Sequence, residues 1–473
     1  MPKDLLILHT NDIHGRSEGL ARVITRLDQI RAENSDRHVL YFDAGDVEDT
    51  SNRLSNLTKG RAMYELLALA KPNAMVAGNG SIARYGVEAI TAQANVMLTS
   101  ADCPYLLANV RLPDGNPIPA TQSTHLLTLE DVKIGIIGVT AQSSGYARFF
   151  GLQLLDTTEV VRQEAASFWQ SGVHAVIVLS HLGLADDRKL AEALNGEVTL
   201  IIGAHSHDLL PDGEWVNGIP IVQAGDHAKF LGQVELAWRD NRLVVTHATV
   251  QPITEDIPPD PRVHEREMDI EAYLDEFLAE TIGELAQPLD WSEEAECGVG
   301  NLMADALREY LKADIGLVVA GAAFKGGLPG GTLARRDLWV VCDTTANPGL
   351  VMMKGWQVQH MVETGLDPTI TAERPHSLRG RARGLIHISG ATVREGRVYV
   401  GEYPLDPEDD YRVAASDYEL EPDFGYAQAD WNLTPTYEVP TILREVVVKY
   451  LADTHPTVVT MERILGNKLL GEA

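Results

Sequence analysis

Short apolar runs alternate with segments of helical pattern through the first half of the chain. Five of the runs have the length and composition of buried strands, and residues 19–34, 60–70, 158–170 and 187–194 are helical in pattern. Such alternation is typical of a layered α/β domain in which the loops gather at the strand ends. Residues 219–253 are richer in strand patterns and are expected to complete the sheet.

A proline-rich segment interrupts every regular pattern at residues 256–261 and predicts a domain boundary. A chain of 473 residues also exceeds what one core usually organises. Beyond the boundary, apolar residues at helical spacing predict a connecting helix over 263–285, and residues 300–307 predict another helical segment. We therefore predict three parts: a first domain over 1–255, a linker and connecting helix over 256–286, and a second domain over 287–473.

Each of the five apolar runs is followed by side chains that can bind a metal ion. After the first run come Asp12 and His14, whose spacing places both side chains on the same side of an extended chain. The other four runs are followed, in chain order, by Asp46, by Asn79, by His181, and by the pair His205 and His207. One Asp-x-His pair is common in proteins, but five successive strands that end in this way indicate a metal site.

Composition narrows the classes of partner. The 68 acidic and 39 basic residues give a formal charge of −29, which argues against binding to nucleic acid or to an anionic membrane. The three cysteines are far apart and predict neither a disulfide framework nor a thiolate zinc site. No apolar run is long enough to span a membrane, and a first candidate ligand at position 12 leaves no room for a leader, so a cytoplasmic location is expected.

The candidate metal-binding motifs carry a family resemblance. They are Thr10-Asn11-Asp12-Ile13-His14-Gly15, Gly45-Asp46, Gly78-Asn79, His181 and His205-Ser206-His207. In this order and spacing they resemble the calcineurin-like metallophosphoesterase domain of the 5'-nucleotidase family, and residues 300–306 resemble the opening motif of that family's C-terminal substrate domain. The resemblance implies a four-layer α/β/β/α metallophosphoesterase sandwich, followed by a smaller mixed α/β C-terminal domain.

The resemblance also implies a cofactor of two divalent metal ions. One ion would be held by Asp12, His14 and His207, and the other by Asn79, His181 and His205, with Asp46 bridging the two. Imidazole and carboxylate ligands without thiolate suit Mn, Fe, Zn, Co or Ni better than calcium. Two such ions can hold a hydroxide between them and clamp the phosphoryl oxygens for in-line attack.

The third motif departs from the family pattern. In the family it reads Gly-Asn-His-Glu-Phe-Asp, and its His, oriented by its Asp, is thought to stabilise the transition state or to protonate the leaving oxygen. Gly80 and Ala83 stand at these two positions. Loss of a positioned acid typically costs about 10² to 10⁴ in rate, so slower hydrolysis is expected, least for good leaving groups. His227 and Arg84 are candidate substitutes, although a solvated loop side chain is the commoner role for either.

The second half departs from the family pattern as well. Lys325 stands where the family has an arginine that faces the substrate phosphates, which keeps the charge but loses the two-pronged contact. Arg374, Arg379, Arg381 and Arg383 form either a basic surface loop or a replacement phosphate clamp. Tyr418 matches one of the two rings that hold the base in the family, Asp423 follows near a base or ribose contact, and the aliphatic Leu385 replaces the second ring.

We therefore predict a cytoplasmic dimetal phosphoesterase with altered or reduced turnover, which hydrolyses phosphate esters of nucleotides. The activities that the family resemblance implies are those of 5'-nucleotidases, UDP-sugar hydrolases and 2',3'-cyclic phosphodiesterases. Two alternatives stay open: an attenuated nucleotide-binding regulatory protein, which the missing His/Asp pair favours, and a phosphatase for a non-nucleotide organic phosphate, which Leu385 favours. Neither a nucleic acid nor a membrane is an expected partner, and the oligomeric state is left open.

Overall fold

The computed structural model describes residues 4–130, 132–367, 384–439, 441–454 and 456–465. Two compact units make up the chain, Met1–Ala272 and Tyr273–Ala473. The four arginines of the predicted basic loop, Arg374, Arg379, Arg381 and Arg383, lie outside the described residues.

The first unit is built around two six-stranded sheets. Its strands are β1 Leu5–Thr10, β2 His38–Asp43, β3 Ala74–Val76, β4 Tyr105–Leu106, β5 Val110–Arg111, β6 Thr124–Leu129, β7 Val132–Thr140, β8 Gln153–Leu154, β9 Ala175–His181, β10 Leu200–Ile202, β11 Glu214–Val216, β12 Ile219–Val222, β13 Phe230–Arg239 and β14 Arg242–Pro252. Its helices are α1 Ser17–Glu33, α2 Arg53–Leu57, α3 Arg61–Leu67, α4 Asn79–Ala101 (interrupted at Gly86), α5 Ser144–Phe150, α6 Thr157–Gln170 and α7 Leu184–Leu194.

The five strands that carry the candidate ligands are parallel neighbours within their sheets. The first sheet has the order β14-β13-β1-β2-β3-β4, and the second has the order β11-β12-β10-β9-β7-β6. Strand β1 pairs in parallel with β2, β2 with β3, and β9 with β10. Because parallel strands end at the same edge of a sheet, the loops after these strands collect together. The strand-rich segment 219–253 contributes to both sheets rather than to one, since β12 lies in the second sheet and β13 and β14 in the first.

The main core lies between the two sheets. Strands β1 and β9 are buried along their whole length, and one apolar cluster joins side chains of both sheets, among them Ile7, Phe42, Ile136 and Ile177. Gly138 of β7 is required where the sheets approach, because a Cβ atom there would lie 2.3 Å from the Cβ of Leu106. Burial on both faces explains why these strands are continuous apolar runs.

Helices complete the outer layers. Helix α1 buries Leu20, Val23, Ile24 and Leu27 along one face, which is the periodicity of a helix that packs on a sheet. Helices α6 and α7 pack their apolar residues against the outward side chains of the second sheet. The fold is therefore the four-layer α/β/β/α sandwich, as predicted.

The predicted connecting helix over 263–285 is too long. Helix α8 runs from Pro261 to Ala279, and residues Thr281–Leu285 form a strand, β15, instead. The proline stands at the first helical position, where its missing N–H costs nothing. Ile282 and Leu285 fit a helical spacing, but both are buried residues of a strand that pairs antiparallel with residues 331–334, a contact that local periodicity does not reveal.

The second unit contains a five-stranded and a four-stranded sheet. Its further strands are β16 Ile315–Val319, β17 Gly331–Ala334, β18 Pro348–Lys354, β19 Ile386–Ser389, β20 Thr392–Arg394, β21 Arg397–Val400, β22 Tyr403–Pro404, β23 Asp410–Ser416, β24 Thr436–Tyr437 and β25 Ile464–Leu465. Its helices are α9 Gly298–Tyr310, α10 Ala320–Ala323, α11 Arg335–Val341, α12 Gly355–Leu366, α13 Asp417–Leu420 and α14 Leu443–Asp453. The sheet orders are β19-β16-β23-β18-β24 and β22-β21-β20-β25, and β15 pairs with β17.

Within the described parts of the chain, the helices are all too short or too polar to cross a lipid bilayer.

A buried histidine fixes the start of α9 in the second unit. The His387 Nε2 accepts a hydrogen bond from the Cys297 N–H at 2.9 Å, and its Nδ1 lies 3.0 Å from the Leu385 carbonyl oxygen. Gly300 is needed here, because a Cβ atom would lie 2.5 Å from the His387 ring. Burial lowers the pKa of His387 to about 4, so the ring is neutral in the folded protein at pH 7.

The low pKa of His387 in the folded protein predicts a loss of stability in mild acid. In the unfolded chain the pKa of His387 is near 6.5, and in the folded protein it is about 4. As pH falls from 6.5 to 4, the unfolded state therefore binds a proton that the folded state does not bind, and this favours unfolding. We expect the free energy of unfolding to fall by roughly 3 kcal/mol more in the wild type than in His387→Gln over this range. Denaturant unfolding of both proteins at pH 7 and pH 4.5 measures the difference, and equal pH dependence would contradict the prediction.

Candidate functional site

The seven candidate ligands of the first unit come together at the carboxyl ends of the strands. Two groups have ligand atoms that all lie within 4.8 Å of one another. The first, termed the Asp12 cluster, is Asp12, His14 and His207, and the second, termed the Asp46 cluster, is Asp46, His181 and His205. Asn79 adjoins the Asp46 cluster, since its Oδ1 lies 3.1 Å from the His181 Nε2.

The loops that carry these side chains have an unusual backbone. Five of the seven candidates, Asp12, His14, Asp46, His205 and His207, have φ values between 46° and 73°. Side chains other than glycine seldom adopt this left-handed region, and such strain concentrates at functional sites. Backbone hydrogen bonds hold the first two loops together, from the Asp12 N–H to the Gly45 carbonyl at 2.9 Å and from the His14 N–H to the Asp46 carbonyl at 3.0 Å.

Asp12 is the centre of its cluster. One carboxylate oxygen, Oδ2, accepts hydrogen bonds from the Asn11 side chain at 2.8 Å and from the His205 N–H at 2.9 Å. The other, Oδ1, is buried without a hydrogen bond and lies 3.6 Å from the His14 Nε2 and 3.4 Å from the His207 Nε2. Burial alone would raise the pKa of Asp12, but the imidazoles of His14 and His207 outweigh it and hold the pKa well below its usual range. Asp12 is therefore a carboxylate.

His181 is oriented within the Asp46 cluster by the backbone. Its Nδ1 lies 2.7 Å from the Ala44 carbonyl oxygen, so the ring donates there and turns its Nε2 towards Asp46 Oδ2, at 3.4 Å. Burial opposes protonation, but Asp46 and Asp12 raise the pKa of His181 to about 10. Burial raises and His181 lowers the pKa of Asp46, with a net value of about 2. The two buried carboxylates thus attract a positive charge to this position.

Both clusters fit divalent metal ions. The Nε2 atoms of His14 and His207 lie 3.0 Å apart. This is roughly the separation of two nitrogens that both bind the same ion at about 2.1 Å. The buried Asp12 Oδ1 has no hydrogen bond and faces these nitrogens, which suits an oxygen whose partner is a cation. The Nδ1–H bond from His181 to a carbonyl is the usual second contact of a metal-bound histidine. The donors are imidazole, carboxylate and amide, a set typical of transition metals.

A carboxyl group fills the space beside Gly80. The Glu48 side chain is buried, and a Cβ atom on Gly80 would lie 3.2 Å from Glu48 Oε1 and 3.0 Å from Asp46 Oδ1. Glu48 accepts hydrogen bonds from the Ser81 hydroxyl and, at 2.7 Å, from the Tyr64 hydroxyl. Burial and the nearby Asp46 raise the pKa of Glu48. The position where the resembling family has its histidine is therefore occupied by a neighbouring acidic side chain.

Removal of this carboxyl group is expected to destabilise the first unit. In Glu48→Ala the buried hydroxyls of Ser81 and Tyr64 lose their acceptor, which costs about 1–3 kcal/mol for each unsatisfied group. We expect the free energy of unfolding to fall by about 2–4 kcal/mol, because Tyr64 retains the Tyr105 hydroxyl at 3.2 Å. Glu48→Gln keeps an acceptor and should cost less than half as much. Chemical denaturation measures both, and equal losses would contradict this account.

His227 and Arg84 lie in different settings. The His227 ring is 5.7 Å from the His14 ring and 6.1 Å from the His207 ring, and its Nδ1 is 2.8 Å from Asp226 Oδ2. Its backbone N–H donates to the Asp12 carbonyl at 2.7 Å, so it borders the Asp12 cluster. Arg84 is half-buried on α4, five residues beyond Asn79. His227 therefore contacts the segment that carries Asp12 and lies beside the His14 and His207 rings.

Most of the candidate substrate-binding residues described in the second unit are either buried or already paired. Lys325 is exposed and forms an ion pair with Asp343 at 2.6 Å. Leu385 and Tyr418 are buried, with 5% and 3% of their surfaces exposed. The Tyr418 ring packs on Phe424 with a centroid separation of 4.8 Å, and Asp423 is exposed beside it. Phe424 is half-buried and is therefore the more accessible of these two rings.

Sequence reasoning missed the residues that support the site. Asn11 holds Asp12 and also bonds the Gly225 carbonyl at 2.6 Å and the Ala224 N–H at 2.9 Å, which ties β1 to the segment before β13. Its position in the Asn-Asp-x-His motif was the available signal. For Glu48 the signal was weaker, a carboxylate two residues after Asp46 with no partner identifiable from its neighbours in the chain.

Two family models match the chain, one in each unit. The model for calcineurin-like phosphoesterase matches residues 5–209. The model for the 5'-nucleotidase C-terminal domain matches residues 281–429.

Related proteins cover most of the chain at low identity. The uncharacterized metallophosphoesterase YunD of Bacillus subtilis (strain 168) is 26% identical over 436 residues, which cover 88% of this chain and 92% of YunD. The snake venom 5'-nucleotidase of Naja atra is 29% identical over 351 residues, 64% of this chain and 64% of the venom protein's own length. The crystal structure of the 5'-nucleotidase precursor from Thermus thermophilus matches 98% of this chain and 100% of its own, with a TM-score of 0.55 and 21% identity, and so shares the fold.

These matches confirm the resemblance that the metal-binding motifs indicate. The calcineurin-like phosphoesterases use a dimetal centre, and the two clusters of the first unit are candidate groups for one. The chain thus belongs to the 5'-nucleotidase family of metal-dependent phosphoesterases, with a calcineurin-like phosphoesterase domain followed by a 5'-nucleotidase C-terminal domain.

Proposed function

We propose that the chain is a dimetal phosphoesterase that hydrolyses phosphate esters of nucleotides, slowed by the loss of the family's His/Asp pair. The observation that carries the proposal is the juxtaposition of the Asp12 and Asp46 clusters, with Asn79 beside the second. His14, His207 and Asp12 would hold one ion, and His181, His205 and Asn79 the other. Asp46 would contact both.

When bound, the two ions would supply Lewis-acid activation of water and neutralise charge on the phosphoryl group. The protein's own residues hold the site in shape. The Ala44 carbonyl fixes the His181 tautomer, and Asn11 together with the His205 N–H keeps one Asp12 oxygen engaged so that the other stays available. Gly80 brings no proton donor, and the leaving oxygen must take its proton from water or from a group such as His227.

A substrate screen tests the proposal. Purified protein loaded with Mn²⁺ or Co²⁺ would be assayed on nucleoside monophosphates, UDP-sugars, 2',3'-cyclic nucleotides and an activated aryl phosphate. We expect turnover of at least one nucleotide ester, and none after chelation. No turnover of any ester in a metal-replete sample would defeat the proposal, and nucleotide-dependent thermal stabilisation without hydrolysis would favour a regulatory protein instead.

A second candidate is a phosphatase for a non-nucleotide organic phosphate. Its support is the burial of Tyr418 and Leu385, which leaves the family's base-binding positions unprepared, and the pairing of Lys325 with Asp343, which occupies the position that faces the phosphates in the family. The same screen, extended to sugar phosphates, separates the two candidates. The metal identity and the cytoplasmic location stay predictions from the sequence.

A further inference from the structure

A cleft of about 330 Å³ opens in the first unit, far from the candidate metal site. This volume lies within the range of small-molecule pockets. Six of its lining residues, Trp169, Thr199, Trp215, Pro220, Arg239 and Arg242, define what we term the distal cleft. Its position follows from the topology: Thr199 precedes β10, Pro220 is the second residue of β12, and Arg239 and Arg242 flank the β13–β14 turn.

The distal cleft and the candidate metal site lie at opposite ends of the sandwich. The ligands follow the carboxyl ends of β9 and β10, whereas the cleft is at the amino ends of β10 and β12. Strand β13 begins three residues after His227 and ends at Arg239, so its ten residues, about 30 Å of extended chain, separate the two places. The distal cleft is thus a distinct site.

The charge of the distal cleft is opposite to that of the whole chain. Two guanidinium groups line it, and its lining includes no aspartate or glutamate. Two neighbouring carboxylates are already engaged, Glu214 with Arg188 at 2.7 Å and Glu197 with Arg162 at 3.4 Å, and the exposed Asp240 lies in the turn between the two arginines without being part of the lining. Within the described part of the chain, the Arg239 side chain has neither an ion pair nor a hydrogen bond. In a chain of formal charge −29, two arginines that line one cleft without a lining carboxylate favour an anionic ligand.

The aromatic residues of the cleft favour a planar ligand. The Arg242 guanidinium lies 4.4 Å from the centre of the Trp169 ring, which is anchored by a 2.7 Å hydrogen bond from its Nε1 to the Glu197 carbonyl. The Trp215 indole is 56% exposed, an unusual state for so large an apolar side chain. Indole and guanidinium faces both bind flat aromatic rings by stacking.

We propose that the distal cleft binds a planar aromatic anion, whose ring stacks on Trp215 and whose negative group pairs with Arg239 and Arg242. Nucleoside monophosphates and aromatic carboxylates share this chemistry. The site is for binding only, since no carboxylate, imidazole or thiol lines it to perform a reaction.

Equilibrium dialysis of the full-length protein tests the proposal. An Asp46→Asn background is used to suppress turnover at the candidate metal site, and the probes are AMP, adenosine and 4-hydroxybenzoate. We expect AMP, 4-hydroxybenzoate or both to bind saturably, and uncharged adenosine to bind at least about 10-fold more weakly. Which of the two anions binds more tightly identifies the ligand class. Absence of saturable binding by both anions would overturn the proposal.

Variants assign the binding to the distal cleft. Arg239→Glu combined with Arg242→Glu should remove one anion site per chain, and Trp215→Ala should weaken binding at least about 5-fold. Arg397→Glu, an exposed arginine of the second unit, is the matched control and should bind like the parent. Unchanged binding in the double-arginine variant would overturn the proposal. Hydrolysis is assayed separately with Asp46 restored, and it should be unchanged by the cleft variants, so failure here leaves the proposed function standing.

Discussion

Asp46→Asn is expected to lower kcat for any ester that the protein hydrolyses by about 10³-fold or more, equivalent to roughly 4 kcal/mol of transition-state stabilisation. Asp46 is buried, lies 3.4 Å from His181 and accepts the Gly80 N–H at 2.9 Å, so an amide should occupy the same place without strain. The substitution removes the negative charge that, in the proposed function, would contact both metal ions. Steady-state kinetics at saturating Mn²⁺ measure the loss, and metal content by mass spectrometry shows whether an ion is lost with it.

Asp186→Asn is the matched control for this prediction. Asp186 is an exposed residue of α7 in the same unit and forms an ion pair with Lys189 at 2.7 Å. An exposed pair of this kind contributes little to stability, so activity and folding should both match the wild type. If Asp46→Asn retained more than a tenth of the wild-type kcat while it remained folded, the proposed role of Asp46 would be wrong.

The second large effect should appear in the choice of leaving group. Because Gly80 and Ala83 supply no acid, a substrate whose leaving oxygen needs no proton escapes the penalty of about 10² to 10⁴. We therefore expect kcat for 4-nitrophenyl phosphate to exceed kcat for nucleoside monophosphates by at least about 10²-fold. Comparison of kcat, rather than of kcat/KM, separates this chemical effect from differences in binding.

His227→Ala distinguishes a missing acid from a relocated one. His227 adjoins the Asp12 cluster and is held by Asp226 at 2.8 Å, the kind of pairing that orients a catalytic histidine. If the acid is missing, the variant should lower kcat for both classes of ester by similar factors. A selective loss on nucleoside monophosphates, together with near-equal wild-type rates for the two classes, would contradict the leaving-group prediction and assign the proton to His227.

Local sequence was enough to identify the candidate ligands, because each follows an apolar run whose burial and direction are implied by its pattern. The division of those runs between two sheets could not be seen locally. Strand β7, the neighbour of β9 in the second sheet, ends in no metal-binding side chain, so the motif pattern gives no reason to single it out. The end of α8 at Ala279 was equally hidden, since residues 282 and 285 suit a helix until β17 offers them a strand partner.

The features of the candidate sites that local sequence did not reveal depend on exposure and on long-range contacts. Tyr418 is correctly placed in the chain for a base-stacking ring, yet the packed second unit leaves only 3% of its surface exposed. Glu48 is linked to Gly80 and Ser81 across more than 30 residues, and no local pattern indicates that its carboxyl fills the space beside the glycine.

The sequence by itself determined the fold family, the set of candidate ligands and the absence of the family's His/Asp pair, because these depend on residue type and on spacing within a loop. Only the tertiary structure decided what stands beside Gly80, which substrate residues are accessible, and that two arginines and two tryptophans share a cleft at the far end. These are properties of surfaces formed by residues distant in the chain, and packing, rather than periodicity, sets them.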